Sequence, residues 1–272
     1  MTAPVDRPAL NLPGSRGILN QHLVGDRFRL DRYPPAADLA WAIERYWTVA
    51  WDLTERPPHV QETLPYPCVN LVFEPGATAV FGVVRRRFER RLEGRGRVFG
   101  VKFKPGGFHP LLGRAVSSLT DRALTLEQAF GDPGDLDARM LVAIDDVPTV
   151  IGEIETFFRP RLGAPDPAVA QINYLIDRIV ADREILRVDD LVGFSGIGKR
   201  SLQRLFGRYV GVGPKWVIGR YRLHEAAERL AAGTAVDLAQ LAQDLGYFDQ
   251  SHFIRDFRRL VGRAPMEYRG RG

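Results

Sequence analysis

The sequence is poor in cysteine and in long apolar runs. Its 272 residues include one cysteine, Cys68, which excludes an internal disulfide and a cysteine-based zinc site. No stretch approaches the roughly 20 apolar residues that span a bilayer, and the first 17 residues lack the hydrophobic core of a signal peptide. We therefore expect a cytoplasmic protein that is neither exported nor embedded in a membrane.

Catalytic and metal-binding patterns are scarce as well. The sequence has no Gly-x-Ser-x-Gly elbow and no phosphate-binding loop, and its five histidines lack the spacing of metal ligands. Cys68 follows a proline, as methyl-accepting cysteines of DNA repair enzymes do, but Val69, Asn70 and Leu71 then replace the groups that would activate a thiolate. We therefore expect no catalytic residue, metal or cofactor, and cysteine-dependent alkyl transfer is an unfavoured alternative.

Length and charge indicate two globular domains with different surfaces. Domains cluster near roughly 100 to 150 residues, so a chain of this length favours two. The segment 161–167 concentrates proline and glycine between helical patterns, which indicates a linker between domains over residues 1–160 and 165–272. Residues 165–272 carry 17 basic and 13 acidic side chains, against 21 and 20 in residues 1–164. The net positive charge of residues 165–272 favours a polyanionic partner, although solvated helix faces are often mildly basic as well.

The first domain has a mixed α and β pattern. A helix is predicted near residues 36–43, and helices return between about 126 and 158. Short runs rich in β-branched and aromatic residues predict strands near residues 45–52, 69–73, 79–85, 88–92 and 97–103. The predicted fold class is therefore α+β, with a mixed α/β N-terminal domain followed by an all-α domain that contains two helix-turn-helix units and a linker helix.

Those two units rest on one internal repeat in the second domain. The pattern is apolar-x3-Phe-x4-Gly-x2-Pro, and its two copies, 51 residues apart, are Leu202, Phe206, Gly211, Pro214 and Phe253, Phe257, Gly262, Pro265. Each copy predicts a helix that ends at a glycine able to adopt a left-handed conformation. A shorter helical stretch that ends at Gly196 or Gly246 precedes each copy. A short helix, a turn and a longer helix form a helix-turn-helix unit, whose second helix enters the DNA major groove.

Polar residues surround the apolar anchors of both second helices. They are Lys199, Arg200, Gln203 and Arg204 in the first copy and Gln250, Ser251, His252 and Arg255 in the second. Side chains of these types donate hydrogen bonds to guanine and to phosphates, or pair with adenine. A solvated helix face has the same composition and is the better interpretation of one copy alone. Two matching copies favour double-stranded DNA as the partner.

The stretch between the copies predicts a linker helix from Pro214 to Ala232, with Gly233 as its stop. Nineteen residues at about 1.5 Å each span about 28 Å. This length is comparable to the roughly 34 Å between successive major-groove openings on one side of DNA. Apolar residues at helical spacing are available to pack against both units, namely Trp216, Leu223, Ala227 and Leu230.

Two stretches of the second domain carry a family resemblance: KRSLQRLFGRYVGVGPKWVIGRYRLHEAAERL and LAQDLGYFDQSHFIRDFRRLVGRAPMEYR. On these stretches, residues 167–269 resemble the DNA-binding domain of the AraC/XylS family almost from end to end. The resemblance implies seven helices, roughly direct-repeat half-sites on DNA, and control of transcription by contact with RNA polymerase, as activator or repressor. Gly198 departs from the serine or threonine cap common in the family, and Ile254 departs from a small polar residue.

The first domain contains WAIERYWTVAWDL, LPYPCVNLVFEPG and VFGVKFKPGGFHPLLG, and on these stretches it resembles an uncharacterised domain that precedes the same DNA-binding unit in other regulators. The resemblance implies no known ligand. Trp41 and Trp47 are candidates to line a pocket for an apolar or aromatic effector that Glu62 and Tyr66 would orient, although tryptophans are more often core residues. The alternative is a module for homodimer formation in a DNA-binding scaffold that senses no ligand.

Overall fold

The computed structural model describes residues 18–19, 28–232 and 236–269. The first 17 residues, on which the absence of a signal peptide was argued, and Gly233, the predicted stop of the linker helix, lie outside these ranges. Over the described ranges, a sheet-rich N-terminal part is followed by a helical C-terminal part. This arrangement confirms the predicted α+β fold class.

Two antiparallel sheets form the N-terminal part. The described strands are β1 Ile18–Leu19, β2 Phe28–Tyr33, β3 Ile43–Leu53, β4 His59–Thr63, β5 Asn70–Phe73, β6 Ala79–Phe81, β7 Phe88–Leu92, β8 Gly94–Phe103 and β9 Ala123–Leu124. The smaller sheet has the order β1-β4-β7, and the larger sheet has the order β2-β3-β8-β5-β6-β9. The long strands β3 and β8 pair side by side at the centre of the larger sheet.

One face of the larger sheet packs against helices to form the N-terminal core. These helices are α1 His109–Leu112, α2 Leu126–Phe130, α3 Leu136–Val142 and α4 Val147–Leu162. Successive strand residues point to opposite faces, so Phe99, Val101 and Phe103 of β8 all face these helices. The Phe103 ring packs edge-on against Phe158 of α4, with 5.5 Å between centroids. The opposite face of the larger sheet is turned toward the smaller sheet.

The sequence predictions for this part were accurate for some elements and wrong for one. The predicted strand 88–92 matches β7, and the predicted strand 97–103 lies within β8. The predicted helix over residues 36–43 is wrong. Residues 37–42 form turns with mostly i→i+3 hydrogen bonds, such as Ala42 N to Leu39 O, and Ile43 begins β3. The turns bury Leu39 and Ala42, whose helix-like spacing prompted the prediction.

The C-terminal part consists of helices. They are α5 Pro167–Ala181, α6 Val188–Ser195, α7 Lys199–Tyr209, α8 Pro214–Ala231, α9 Leu238–Asp244, α10 Gln250–Val261 and α11 Pro265–Arg269. Seven helices agree with the number that the resemblance implied for these residues. Within the described ranges, the helices do not include one that is long and apolar enough to cross a membrane.

Candidate functional site

Helices α6 and α7 form one helix-turn-helix unit, and α9 and α10 form a second. Gly196 ends α6 with a φ of 68°, and Gly246 follows α9 with a φ of 77°. Glycine adopts positive φ without the steric penalty of a Cβ, so both turns form where the repeat predicted them. Gly211 and Gly262, after α7 and α10, also have positive φ. The repeat is therefore present in the backbone as well as in the sequence.

The apolar anchors of the repeat are fully buried in both units. Leu202 and Phe206 of α7 and Phe253 and Phe257 of α10 each have 0% exposure. Burial of one side of each helix fixes which side faces solvent. Because the anchors are equivalent, the two helices present equivalent outer faces. We call α7 and α10 the candidate recognition helices.

All eight residues that the sequence placed on the outer faces are exposed. They are Lys199, Arg200, Gln203 and Arg204 on α7 and Gln250, Ser251, His252 and Arg255 on α10. On α7, Lys199 Nζ lies 2.8 Å from Asp189 Oδ1 of α6. An exposed ion pair contributes only about 0–1 kcal/mol, so an incoming phosphate can replace this partner.

The candidate recognition helices begin differently. Helix α10 is capped by Asp249, whose Oδ1 accepts a hydrogen bond of 2.7 Å from the His252 backbone N–H. Helix α7 begins after Gly198, which has no side chain to cap the free backbone N–H groups. His252 also packs edge-on against Tyr247, with 5.2 Å between ring centroids. Ile254, the departure from the family pattern, is half-buried and packs against the core of the second unit.

Helix α8 connects the two units and contributes to the core of each. Val217 and Ile218, in its N-terminal half, are buried with α7 in the first core. Leu223, Ala227 and Leu230, in its C-terminal half, are buried with α10 in the second core. Eighteen residues at about 1.5 Å each span about 27 Å. One continuous helix anchored at both ends holds the two units at a fixed spacing.

The middle of α8 carries buried charge. Arg222 is 3% exposed, and its guanidinium donates hydrogen bonds to the backbone oxygens of Ile179, Asp182 and Ile185. These oxygens lie at or just beyond the C-terminal end of α5, where a positive charge interacts favourably with the helix dipole. Arg222 thereby ties the linker helix to the first helix of the same part.

A cavity of about 370 Å³ lies between the two sheets of the N-terminal part. Its walls are the free face of the larger sheet and the facing strands of the smaller sheet. The apolar lining residues include Phe28, Leu30, Trp47, Val49, Trp51, Val72, Leu92 and Val98, and the polar ones include Arg32, Arg45, Gln61, Tyr66, Asn70 and Lys102. Mostly apolar walls with a few polar groups are typical of small-molecule sites, and this volume is near the lower end of their range.

Two of the four residues predicted to bind an effector line this cavity. Trp47 and Tyr66 are lining residues. Trp41 instead packs against the core between the larger sheet and the helices. Glu62 accepts hydrogen bonds from Arg87 at 2.8 Å and from Arg263 at 3.3 Å. The structure therefore brings together Trp47 and Tyr66, and it places Trp41 and Glu62 elsewhere.

Two glycines of β8 make room for the tryptophans of the cavity. A Cβ on Gly100 would overlap the Trp47 indole, and a Cβ on Gly96 would overlap the Trp51 indole. The two residue pairs are direct partners across β3 and β8. The missing side chains let both rings lie flat against the sheet, which leaves the space above them open.

Cys68 also lines the cavity, but its chemistry differs from that of a nucleophile. Burial raises the pKa of the Cys68 thiol, and nearby Lys102 opposes the shift only in part. The thiolate is the reactive form, so a raised pKa leaves a thiol of low reactivity. In the part of the chain that the structure describes, no cluster of three His, Cys, Asp or Glu side chains could hold a metal ion.

The cavity wall contacts the linker helix directly. The Tyr66 ring stacks on His224 of α8, with 4.2 Å between centroids and 13° between planes. Leu64, another lining residue, is buried in the core of the second helix-turn-helix unit. Four residues before His224, Arg220 donates a 2.6 Å hydrogen bond to Arg85 O, and burial lowers the pKa of Arg220 to about 9. These three contacts join the N-terminal part to the middle of α8 and to the core of the second helix-turn-helix unit.

Further contacts hold the ends of both candidate recognition helices. The Thr120 hydroxyl donates a 2.6 Å hydrogen bond to Gly211 O after α7. At the end of α10, Arg87 donates a 3.4 Å hydrogen bond to Val261 O. Arg208 of α7 also bonds His109 of α1, with 3.2 Å between Nε and Nε2. Both units therefore touch the part of the chain that contains the cavity.

Two family models match this chain. Residues 191–271 match a model described as a helix-turn-helix domain, and residues 31–125 match one described as a domain of unknown function, DUF6597. The first match covers both candidate recognition helices, and the second covers most of the residues that line the cavity. The two sites therefore lie in separately defined units of sequence.

Curated relatives match the C-terminal part. An AraC-like transcription regulator of Streptomyces lividans is 33% identical over 107 residues, which are 39% of this chain and 34% of the relative. The F1 operon positive regulatory protein of Yersinia pestis is 32% identical over 100 residues, which are 36% of this chain and 33% of the relative. The chain thus spans about a third of the length of these relatives.

Solved structures of similar proteins include an AraC family transcriptional regulator from Rhodopseudomonas palustris CGA009. It is 29% identical, covers 39% of this chain and 97% of its own, and has a TM-score of 0.33. ToxT from Vibrio cholerae O395 is 13% identical, covers 83% of this chain and 97% of its own, and has a TM-score of 0.40.

Proposed function

We propose that this chain is a transcription regulator of the AraC family and that it binds specific DNA sequences by placing α7 and α10 in neighbouring major grooves of double-stranded DNA. In this proposal, residues 165–272 form the DNA-binding domain, and residues 1–160 form a domain that adjusts its binding. Contact with RNA polymerase, which the family resemblance implies, would then convert DNA binding into control of transcription.

The observation that carries the proposal is the anchoring of α8 in both cores. Val217 at one end and Leu230 at the other are fully buried. Movement of either unit relative to α8 would expose the α8 side chain buried in that unit, at about 1.5–3 kcal/mol each. The two outer faces therefore keep one spacing, and a helix of about 27 Å suits grooves that open about every 34 Å on one side of DNA.

The side chains suggest separate roles. Arg204 and Arg255 occupy the same position in the two copies, 51 residues apart, and arginine reads guanine through two hydrogen bonds. Gln203 and Gln250 offer the amide geometry that suits adenine. The remaining four residues, Lys199, Arg200, Ser251 and His252, lie in the first two turns of their helices and suit phosphate oxygens or base edges.

Modulation by the N-terminal domain is the finer part of the proposal. A ligand in the cavity would contact Tyr66, and Tyr66 stacks on His224 of the linker helix. A ligand changes DNA binding only if its affinity differs between the two arrangements of this contact. Because the cavity wall contacts α8 directly, a ligand that moves Tyr66 would also change the packing of the linker helix. Homodimer formation through the same domain would act on the same contact.

The test is selection of bound sequences from a random duplex library by the full chain at physiological salt. Nonspecific binding weakens steeply with salt, so the salt concentration must be fixed. We expect enrichment of two short elements about one helical turn apart. A matched chain carrying Arg204→Ala and Arg255→Ala should lose the enrichment. Retention of DNA without any enriched sequence would contradict the proposal and indicate a nonspecific DNA-binding scaffold.

A further inference from the structure

The cavity face of the larger sheet is polarised along the strands. The register pairs Arg45 with Lys102, and Lys102 with Asn70, so these residues form one polar row across β3, β8 and β5. The next cavity-facing row pairs Trp47 with Gly100, and further rows contain Val49 paired with Val98. One end of the cavity is therefore basic and polar, with Arg32 of β2 opposite Trp47 in the next row, and the rest of the sheet wall is apolar.

At the basic end of the cavity, two cationic side chains contact a single carboxylate, that of Glu44. Glu44 Oε2 lies 3.0 Å from Lys102 Nζ, and Glu44 Oε1 lies 2.8 Å from Arg45 Nη1. An irregularity in β3, between Ile43 and Arg45, inserts one residue into the strand opposite β8. Such bulges re-aim side chains and recur beside functional sites. The insertion lets consecutive residues of opposite charge both reach the region of Lys102, and one positive charge is left in excess.

Lys102 is held where a ligand can meet it. Its side chain is 10% exposed, and its ammonium lies 4.3 Å from the centroid of the Tyr66 ring. Arg32 adds positive charge near this end. Burial, followed by the charge of Arg45, lowers the pKa of Arg32. A negative group beside these cations would relieve both their desolvation and their mutual repulsion.

Acidic groups elsewhere on the cavity wall already have cationic partners. Glu74 forms an ion pair of 2.5 Å with Arg90, and Glu89 forms one of 2.5 Å with Arg87. Away from the basic row and Arg32, the strands of the larger sheet line the cavity with aromatic and aliphatic side chains. They include Phe28, Leu30, Trp47, Val49 and Trp51. The charged and apolar surfaces are thus separated within one cavity.

We propose that the cavity binds an organic anion, namely an apolar body that carries one carboxylate, with the carboxylate beside the cluster of Arg32, Arg45 and Lys102, which Glu44 leaves with net positive charge, and the apolar body against Trp47 and Trp51. This inference rests on the proposed role of the N-terminal domain as the modulating domain. In the bound geometry, the charged end of the ligand lies beside Tyr66, which is the lining residue stacked on His224 of α8. The anion is therefore placed next to the contact with the DNA-binding domain.

The test compares ligands that share a body and differ in the head group. The full chain is titrated with 4-phenylbutyrate, 4-phenylbutanol and 4-phenylbutylamine, and with octanoate, octanol and octylamine, and binding is followed by calorimetry and by tryptophan fluorescence. We expect each carboxylate to bind at least about tenfold more tightly than its alcohol, with the amine weakest. A tenfold preference is the size expected of one partly buried charge-assisted hydrogen bond.

Variants of Lys102 distinguish the effect of losing its charge from the effect of a damaged fold. Lys102→Met should reduce the carboxylate preference to within about threefold, and saturable binding of the alcohols by this variant would show that the cavity is intact. Lys102→Arg keeps the charge and should keep the preference. Lys104→Met is the matched control, because Lys104 lies just beyond β8 and is not a lining residue of the cavity.

Equal affinity for carboxylate and alcohol, preference for the amines, or no saturable binding of either carboxylate would overturn the inference. The same protein preparation is used for DNA selection, so the two proposals fail separately. Enriched DNA sequences without a carboxylate preference would overturn only the ligand assignment. A carboxylate preference without enriched DNA sequences would overturn the DNA-reading role.

Discussion

The two helix-turn-helix units have equivalent buried anchors, each in its own core, and differ in the chemistry of their outer faces. Phe206 and Phe257 occupy the same position in the repeat, and both are fully buried. Outside, α7 carries two arginines and one lysine among its four candidate contacts, whereas α10 carries one arginine with a glutamine, a serine and a histidine. The fold is therefore repeated while the chemistry of the surface is not. We infer that the first unit contributes more phosphate contact and the second more discrimination between bases.

Their attachments to the N-terminal domain also differ. The first unit is held by the 2.6 Å hydrogen bond from Thr120 to Gly211 O and by the contact between Arg208 and His109. The second is held by a 3.4 Å hydrogen bond from Arg87 and by a 3.3 Å ion pair between Arg263 and Glu62. The shorter contacts lie on the more basic unit. The N-terminal part therefore makes shorter polar contacts with the first unit than with the second.

The largest effects on DNA binding are expected at the equivalent arginines. Arg204→Ala or Arg255→Ala should weaken specific binding by about 1–3 kcal/mol and relax the sequence preference at one element each, because each loses a base contact. Arg95→Ala, an exposed arginine of β8, is the control and should change nothing. Fluorescence anisotropy with the selected duplex and single-base variants measures both effects. A uniform loss across all sequences would instead make these arginines phosphate contacts.

Salt dependence should separate the two faces. Arg200→Ala should reduce the slope of log affinity against log salt by about 1, because one phosphate contact releases about one counterion. Ser251→Ala, at the equivalent position of α10, should leave the slope unchanged because it removes no charge. Titration of the selected duplex at several salt concentrations gives the slopes. Equal slopes for the two variants would remove the proposed difference between the units.

The helix caps predict a smaller difference in stability. Asp249→Ala should reduce the free energy of unfolding by about 0.5–2 kcal/mol, since it removes the side chain that accepts from His252 N–H. Gly198→Ser should raise it by a few tenths of a kcal/mol, and a Cβ at Gly198 meets no atom within 4 Å. Urea denaturation measures both. A destabilised Gly198→Ser chain would show that α7 needs glycine there for another reason.

The smallest effect is a pH dependence at the contact between α1 and the first unit. Burial and then Arg208 lower the pKa of His109 below its ordinary value of 6.5, while Asp166 opposes the shift and the Tyr209 ring lies 4.1 Å away. The unfolded chain therefore takes up the proton first, and stability falls as pH drops below about 6.5. His109→Gln should reduce the fall in Tm between about pH 7.5 and 5.5. An unchanged fall would assign it to other groups.

The helical part of the fold was accessible from sequence because its signals are local. The spacing of Leu202 and Phe206 and its recurrence after 51 residues place both candidate recognition helices, and the glycine turns follow from the same repeat. Within the N-terminal part, β2 was missed although FRLDRY alternates apolar and polar residues as a strand does. The strand β4, His59–Thr63, carries a weaker alternation and was missed as well.

The cavity could not be predicted because it depends on register between distant strands. Alternation places Gln61 and Thr63 of β4 on the cavity side, so Glu62 between them points away. Trp47 and Trp51 are four residues apart in β3 and share a face, but Trp41 lies in the turns before the strand. A sequence pattern groups the three tryptophans and cannot say which of them share a wall. The basic row needs the pairing of β3, β8 and β5, which is non-local.

We propose that α8 holds the two candidate recognition helices at one spacing. The most direct test of this proposal is the affinity of the full chain for the selected duplex after insertion of five base pairs between the two elements. Five base pairs rotate one element by about half a turn, since a turn takes about 10–10.5 base pairs. We expect the affinity to fall to that of a duplex in which one of the two elements is scrambled, because a fixed pair of helices can then bind only one element. Affinity retained within about twofold would show that the two units move independently and would contradict the proposal.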